Sequence, residues 1–553
     1  MISADRPVVI LGAGINGAAL ARELVLNGVS VVLVDTADLA YGTTAYSSRL
    51  IHGGLRYLEY GEFSLVRESL AERNRLLRLA PQFVRPLQLA IPVGKRTGGW
   101  LPSIRRFLGA PAAAAERGLW LVRAGLTFYD LYARESLLPR HATVRVGAAG
   151  SVPVDPQRYR WLCTYWDAQI PYPERFVAAL VEDARALADE RGVEFAVYTY
   201  HRARLVRDHA EICRLGDPSG EAVRTVRPAA IVNATGAWLD LTLEQLGIIT
   251  RPLIGGTKGS HFLTFYRPLA EALGGQGLYA EAPDGRPVFL LPWERGTLVG
   301  TTDIPFTGDP ADAVVTDAEL DYLVGVVRQL FPQLDLTRND VHLHYAGVRP
   351  LPQTGGAPAS ITRRHWMEEH AGGGVPMYSI VGGKLTTCRS LAEQSATTIL
   401  RRMGRLPTAN SRQRPIPGGA SYPGDETELQ AAWARLAGRF QWPPDSIRSI
   451  WTLCGSRTET VLESLDERGG PFLADTLLPK SFVRWLIRNE WVATLDDLVE
   501  RRLMLLYDPN VSRATLDELG ELLVASNKLD AAGADRAVSA TCRRLREHFG
   551  KQL

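Results

Sequence analysis

The chain has 553 residues, 46% hydrophobic and 22% charged, with a formal net charge of +3. That length exceeds one hydrophobic core and calls for two or three domains, and the composition is globular, which excludes a disordered or fibrous protein. So small a net charge gives no overall pull toward nucleic acid.

Five cysteines (Cys163, Cys213, Cys388, Cys454, Cys542) form no CxxC and no set with His at metal-ligand spacing. They fit a reducing compartment and predict no metal. No secretory signal is visible, and no apolar run reaches the ~18 residues that span a bilayer. The expected location is the cytoplasm, with any membrane contact confined to the surface.

Residues 7–35 read as a βαβ unit: a buried strand from Val8 to Leu11, a helix from Ala18 to Asn27, and a second strand from Val31 to Val34. Between strand and helix stands Gly12-Ala13-Gly14-Ile15-Asn16-Gly17. Gly12 allows the tight turn, Gly14 lets the backbone approach a pyrophosphate, and Gly17 lets helix and strand pack closely. The helix N-terminus then presents unpaired N–H groups to phosphate, with Ile15 and Asn16 of the turn expected against the cofactor. Asp35 ends the second strand, where an acid binds ribose hydroxyls. This motif fits FAD and NAD equally.

Residues 61–80 have helical spacing and many charges. Residues 94–150 look like an excursion. Within them Trp100, Ile104, Phe107 and Leu108 share a helical face beside Lys95, Arg96, Arg105 and Arg106. That pattern suits either a helix lying in an anionic lipid interface or a core-packed helix with solvated arginines. A helix follows at 174–191. Short strands and turns over 251–345 read as an antiparallel sheet covering the substrate. Residues 346–404 return to the glycine-rich style of the N-terminus. Residues 405–424 are a Pro/Gly/Ser-rich linker.

Beyond the linker the pattern is helical. Ser456 with Glu459, and Thr515 with Glu518, have capping-box spacing, and Trp491, Leu495, Leu498 and Leu506 share a face. The expected division is an FAD-binding domain at 1–93, 151–250 and 346–404, a substrate or cap domain at 94–150 and 251–345, and an all-α domain at 425–553.

The stretch from Gly42 through Thr43-Thr44, Ser47-Ser48-Arg49-Leu50-Ile51-His52-Gly53-Gly54-Leu55-Arg56-Tyr57 resembles the flavin-contacting loop of FAD-dependent glycerol-3-phosphate dehydrogenases. The resemblance continues at Asn233-Ala234-Thr235-Gly236-Ala237-Trp238, Lys258-Gly259-Ser260-His261 and Gly300-Thr301-Thr302-Asp303. It runs on through Gly347-Val348-Arg349-Pro350-Leu351, Ile361-Thr362-Arg363 and Gly382-Gly383-Lys384-Leu385-Thr386-Thr387, and into the C-terminal helices at Pro417-Gly418-Gly419 and Asn489-Glu490-Trp491. The segment Gln169-Ile170-Pro171-Tyr172-Pro173 departs from the family pattern, as does the alanine-rich 94–118 region.

The fold this implies is an α/β FAD-binding Rossmann-like domain with an antiparallel-sheet substrate domain, of the glycine/D-amino-acid-oxidase type, plus an all-α C-terminal domain. The resemblance implies noncovalent FAD held by the glycine turn and by Thr43, Thr44, Ser47, Ser48, His52, Gly53, Gly54, Leu55, Gly236, Gly383, Leu385 and Thr386. It implies glycerol 3-phosphate as substrate. Arg56, Arg363 and Lys384 would meet the phosphate, Arg349 the reacting oxygens, and Tyr57 and Lys258 would position the substrate. A histidine accepts a proton near neutral pH, so His261 is the candidate base, with Arg349 as rival. Thr386 or Thr387 would cap a helix whose positive end faces the flavin.

The implied electron acceptor is a membrane quinone, reached by docking on the anionic inner face of the cell membrane. The same fold also serves oxidases that use oxygen, amine or amino-acid oxidases, and non-catalytic flavin-binding scaffolds. A homodimer is left open.

Overall fold

The computed structural model describes residues 6–98, 118–133, 137–353, 364–371, 374–467 and 470–553. The βαβ unit forms as its pattern demands. The strands Val8–Leu11 and Val31–Asp35 pair in parallel, and the helix between them, Ile15–Leu26, is almost wholly buried. Its VVIL and VVLV strands are apolar on both faces because helices cover one side and a small antiparallel sheet (201–226) packs on the other.

The full sheet has six strands, in the spatial order Trp366–His370, Met377–Val381, Ala230–Asn233, Val8–Leu11, Val31–Asp35, Phe195–Thr199. They come from three separated stretches of chain. All neighbours are parallel except the first pair.

A second, larger sheet carries the strands Ile254–Thr264, Gly296–Gly300, Pro287–Trp293 and Gly277–Glu281 in that order. Val341–Pro352 pairs along the whole outer side of Ile254–Thr264. The sequence reading placed 1–93 and 151–250 with the dinucleotide domain. The structure instead continues this second sheet through Arg85–Val93, Trp161–Gln169 and Leu50–Ile51. The reason is packing: Leu87, Leu89 and Tyr165 bury in one cluster with Leu263, Leu291 and Leu298 of the cap strands.

The C-terminal region is helical, from Glu426–Phe440 to Ala531–Phe549. Three local expectations are corrected. Ser456 caps no helix; its hydroxyl donates to the Ala420 carbonyl at 2.7 Å. The capping box at 513–525 is Ser512 with Thr515, not Thr515 with Glu518. Trp491 takes a φ of +53°, which ends the helix Lys480–Asn489, so Trp491 and Leu506 share no continuous helical face. Residues Asp497–Arg502 form a π-helical turn instead, and its charges point inward.

These inward charges clamp the C-terminal helices onto the rest of the molecule. Arg502 makes a two-pronged pair with Asp38, at 2.9 and 2.7 Å, and Arg501 Nε reaches the same carboxylate at 2.7 Å. Arg175 is paired in the same way with Glu490.

Among the described residues, no helix is long and apolar enough to cross a membrane, and no cluster of His, Cys, Asp and Glu is placed to hold a metal.

Candidate active site

A cavity of about 940 Å³ runs between the two sheets. At one end it meets the glycine turn. Gly12 has a φ of +100°, and a Cβ there would lie 2.7 Å from the Ala234 carbonyl oxygen. At Gly17 a Cβ would fall 1.8 Å from the Gly12 oxygen, so helix and strand could not close up around any side chain. Gly14, Ile15 and Asn16 line the cavity, with the Ile15 N–H donating to Thr44 Oγ1 at 3.1 Å. Asn16 Oδ1 is buried and has no partner among the described residues.

Asp35 also lines the cavity. Its Oδ2 accepts from the Ala13 N–H at 2.6 Å and its Oδ1 from the Ala37 N–H at 2.8 Å. Burial pushes this carboxyl up to about 6 against those two hydrogen bonds. A long slot with a helix N-terminus, an orphaned amide oxygen and an acid at its end fits an FAD.

The loop 41–52 forms one wall. Thr43, Thr44, Ser47, Ser48 and His52 all line the cavity. Thr43 Oγ1 donates to the Val348 carbonyl at 2.7 Å, and the Ser47 hydroxyl to the Thr44 carbonyl at 3.3 Å. The His52 N–H donates to Thr386 Oγ1 at 3.1 Å, which joins this loop to the segment before the helix Cys388–Arg402. Burial, helped by Lys384, pushes the His52 ring down to about 4, so it is neutral at physiological pH.

Gly53, Gly54 and Leu55 do not line the cavity. Gly53 serves the fold: its N–H donates to Tyr129 and Asp167, and a Cβ would strike both Tyr129 and Leu70. Gly54 turns at a φ of +77°. Asp167 also receives Arg73 at 2.9 Å, so the departure after residue 168 leaves a buried charge network intact.

Gly236, Gly383, Leu385 and Thr386 also line the cavity, and Gly383 packs directly against Asn16 of the glycine turn. Thr387 is the backbone N-cap of the helix, but its side chain makes no capping bond. The Lys384 ammonium sits 4.0 Å from the centre of the Tyr57 ring, a cation–π contact.

His261 and Arg349 enter from paired strands. His261 Nε2 lies 2.9 Å from Ser48 Oγ, and its ring stacks on Tyr345 with centroids 5.0 Å apart. Burial first, then the charges of Arg349 and Arg49, hold the His261 ring well below its ordinary range, and hence neutral. Arg349 is braced by Asp303 at 3.0 Å and Thr301 Oγ1 at 2.8 Å.

Lys258 is not part of this group. Strand alternation turns Gly259 and His261 toward the cavity and Lys258 and Ser260 away from it. The Lys258 ammonium is held by Glu319 at 2.8 Å and the Val314 carbonyl at 2.8 Å. The Arg56 side chain, Arg363, and the Trp100–Leu108 segment lie outside the described residues.

The sequence reading missed Asp303 and Thr301 as the braces of Arg349, Tyr345 as the platform of His261, and Arg49 altogether. Each sits within or next to a quoted motif, which was the one available signal.

Residues 7–389 match the family described as FAD dependent oxidoreductase, and residues 409–534 that of the C-terminal domain of alpha-glycerophosphate oxidase. The chain is 34% identical to a glycerol-3-phosphate dehydrogenase of Synechocystis, over 90% of this chain and 88% of that protein. The chain belongs to the FAD-dependent glycerol-3-phosphate dehydrogenase family.

It is an FAD-dependent oxidoreductase. Another relative in the family, at 31% identity over 89% of this chain and 93% of its own length, is a D-erythritol 1-phosphate dehydrogenase of Brucella abortus. In fold, the chain is similar to the FAD complex of the glycerol-3-phosphate dehydrogenase of Bacillus halodurans. The TM-score is 0.69 at 21% identity, covering 99% of this chain and 95% of the other.

Proposed function

We propose that the protein oxidises sn-glycerol 3-phosphate to dihydroxyacetone phosphate and passes the electrons to a membrane quinone. The glycine turn and the 41–52 loop would hold FAD noncovalently, and the bound flavin would supply the two-electron acceptor for the C2 hydrogen. The observation that carries the reading is the meeting of a neutral His261, Arg349 and Lys384 on the cavity that begins at the glycine turn.

A neutral imidazole accepts the C2 hydroxyl proton without first having to lose one. Arg349, fixed by Asp303 and Thr301, lies on the same wall and stabilises the oxygen as that proton leaves. Lys384, together with Tyr57, Arg56 and Arg363, takes the phosphate dianion, for which several cations suit better than one. That number of cations also favours a phosphate over the single carboxylate of an amino-acid substrate.

Anaerobic titration of the yellow protein with glycerol 3-phosphate tests the reading. Stoichiometric bleaching of the flavin band is expected, followed by recovery on adding a quinone. No bleaching leaves a flavin-binding scaffold, and bleaching by erythritol 1-phosphate alone moves the substrate to the four-carbon phosphate. Acid precipitation should release the flavin into the supernatant.

The C-terminal match to an oxidase domain favours one second reading, reoxidation by oxygen. Peroxide formed one-for-one with substrate in aerobic buffer establishes it. Docking on an anionic membrane is supported by the helix Leu119–Tyr132, whose outer face exposes Trp120, Phe128 and Leu131 beside Arg123.

A further inference from the structure

Arg49 is fully buried, yet its backbone holds a φ of +55°, a conformation a bulky residue adopts only when its surroundings impose it. Those surroundings are specific. The guanidinium donates to both oxygens of Glu174, at 3.0 and 2.7 Å, and to the carbonyls of Ala45 and Pro171 at 2.8 and 2.5 Å. It also donates to the Tyr507 hydroxyl. The rings of Trp293 and Tyr507 face it, with centroids at 4.9 and 4.7 Å, and Tyr345 lies at 5.8 Å.

The backbone is pinned as well. The Arg49 N–H donates to Ser47 Oγ at 3.2 Å, and the Arg49 carbonyl accepts from Ile170 at 2.9 Å. Both supports of His261 therefore converge on this residue. Ser48, its chain neighbour, meets Nε2 of the imidazole at 2.9 Å. Tyr345, under the same guanidinium, stacks on the ring and donates its hydroxyl to the Ser47 carbonyl at 2.9 Å.

We propose that Arg49 is a positioning residue for the proton-transfer step: it locks the 47–49 turn and Tyr345 so that Ser48 holds His261 Nε2 in place, and it ties that geometry to Tyr507 of the C-terminal helices. The inference rests on His261 as the proton acceptor. A buried ion pair alone would not require it, since such pairs are often replaceable by apolar residues without loss of fold. What sets Arg49 apart is that its partners are the groups that fix the imidazole.

The test uses the holoenzyme. Arg49→Lys keeps the charge but loses the planar fork. It should retain FAD and its absorption spectrum, keep KM within about threefold, and slow anaerobic flavin bleaching by glycerol 3-phosphate by about tenfold to a hundredfold. The paired change Arg49→Met with Glu174→Met removes both charges together. With the positive charge gone, His261 binds its proton more tightly. The acid limb of kcat/KM should then move to higher pH, whereas in Arg49→Lys it should stay where it is in the wild type.

If Arg49 is only a brace for the fold, Arg49→Lys loses thermal stability while its bleaching rate matches the wild type, and the proposal is overturned. Should the double variant fail to take up FAD, the Arg49→Lys rate decides alone. His261→Asn, run in parallel, separates the two layers. A wild-type rate there removes the proton-acceptor assignment and this inference with it. A slow His261→Asn beside a wild-type Arg49→Lys removes only the positioning role.

Discussion

Two lysines expected at the substrate have opposite settings, and strand geometry sorts them. Lys384 lies on the cavity with its ammonium over Tyr57, and Arg349 is aimed at the same space by Asp303. Arg349→Ala and Lys384→Ala should each lower kcat/KM by about 10²-fold or more, or ~2.7 kcal/mol of transition-state stabilisation. Steady-state rates within about threefold of wild type would take either residue out of the site. Lys258 predicts the reverse pattern. It is buried against Glu319, and removing it strands a carboxylate that Ser260 and Thr302 also bind. Lys258→Met should cost about 3–5 kcal/mol in stability. Its KM should stay near wild type; a selective rise in KM without loss of Tm would return Lys258 to the substrate.

At the level of elements, the site is a row across a sheet. His261 is in register with Tyr345 on one side and Gly300 on the other. The imidazole leans over Gly300, where a Cβ would come within 2.1 Å of its Cδ2. Gly300→Ala should therefore push the ring off Ser48 and cut kcat by about 10²-fold while FAD content holds; a variant with normal turnover would mean the ring has room to move. The sequence could not show this row, because cross-strand neighbours are far apart in the chain. It did show the βαβ unit, because a glycine turn between two apolar strands is local. The same contrast explains the misplaced strand Arg85–Val93, whose Leu89 pairs with Tyr165. It explains Arg49 too: its partners Glu174 and Tyr507 lie 125 and 458 residues away. The glycines, His261 and the cations were legible as residue types within motifs. Which of them share one face, as His261 does and Lys258 does not, needed the register.

Over the whole molecule, the loop that lines the cavity is held from behind by the C-terminal helices. Asp38 is clamped by Arg501 and Arg502, Tyr46 bonds to Glu500 and Arg544, and Arg49 bonds to Tyr507. Histidines line the same seam. His548 packs on Tyr46 and Phe549, Gly550 closes against His344, and the nearby His342 shares its surroundings with Lys551. Burial lowers all three rings, His342 and His548 to about 4 and His344 below its ordinary range, with Arg544 reinforcing the effect at His548. A depressed folded-state pKa means that the unfolded chain binds more protons. The stability these rings contribute is complete above their ordinary value of 6.5 and is lost as pH falls toward about 4. Asp35, raised to about 6, acts in the opposite sense over part of that window, because its folded form gains protons first. Thermal unfolding of the holoenzyme should therefore be compared between wild type and the pair His344→Gln with His548→Gln, which leaves Asp35 untouched. Wild-type Tm should fall by about 5 °C or more from pH 7 to pH 5, and the double variant should show a clearly shallower slope. Equal slopes would clear His344 and His548 and place the acid sensitivity at the other lowered rings, His342 of the seam and His52 and His261 of the cavity.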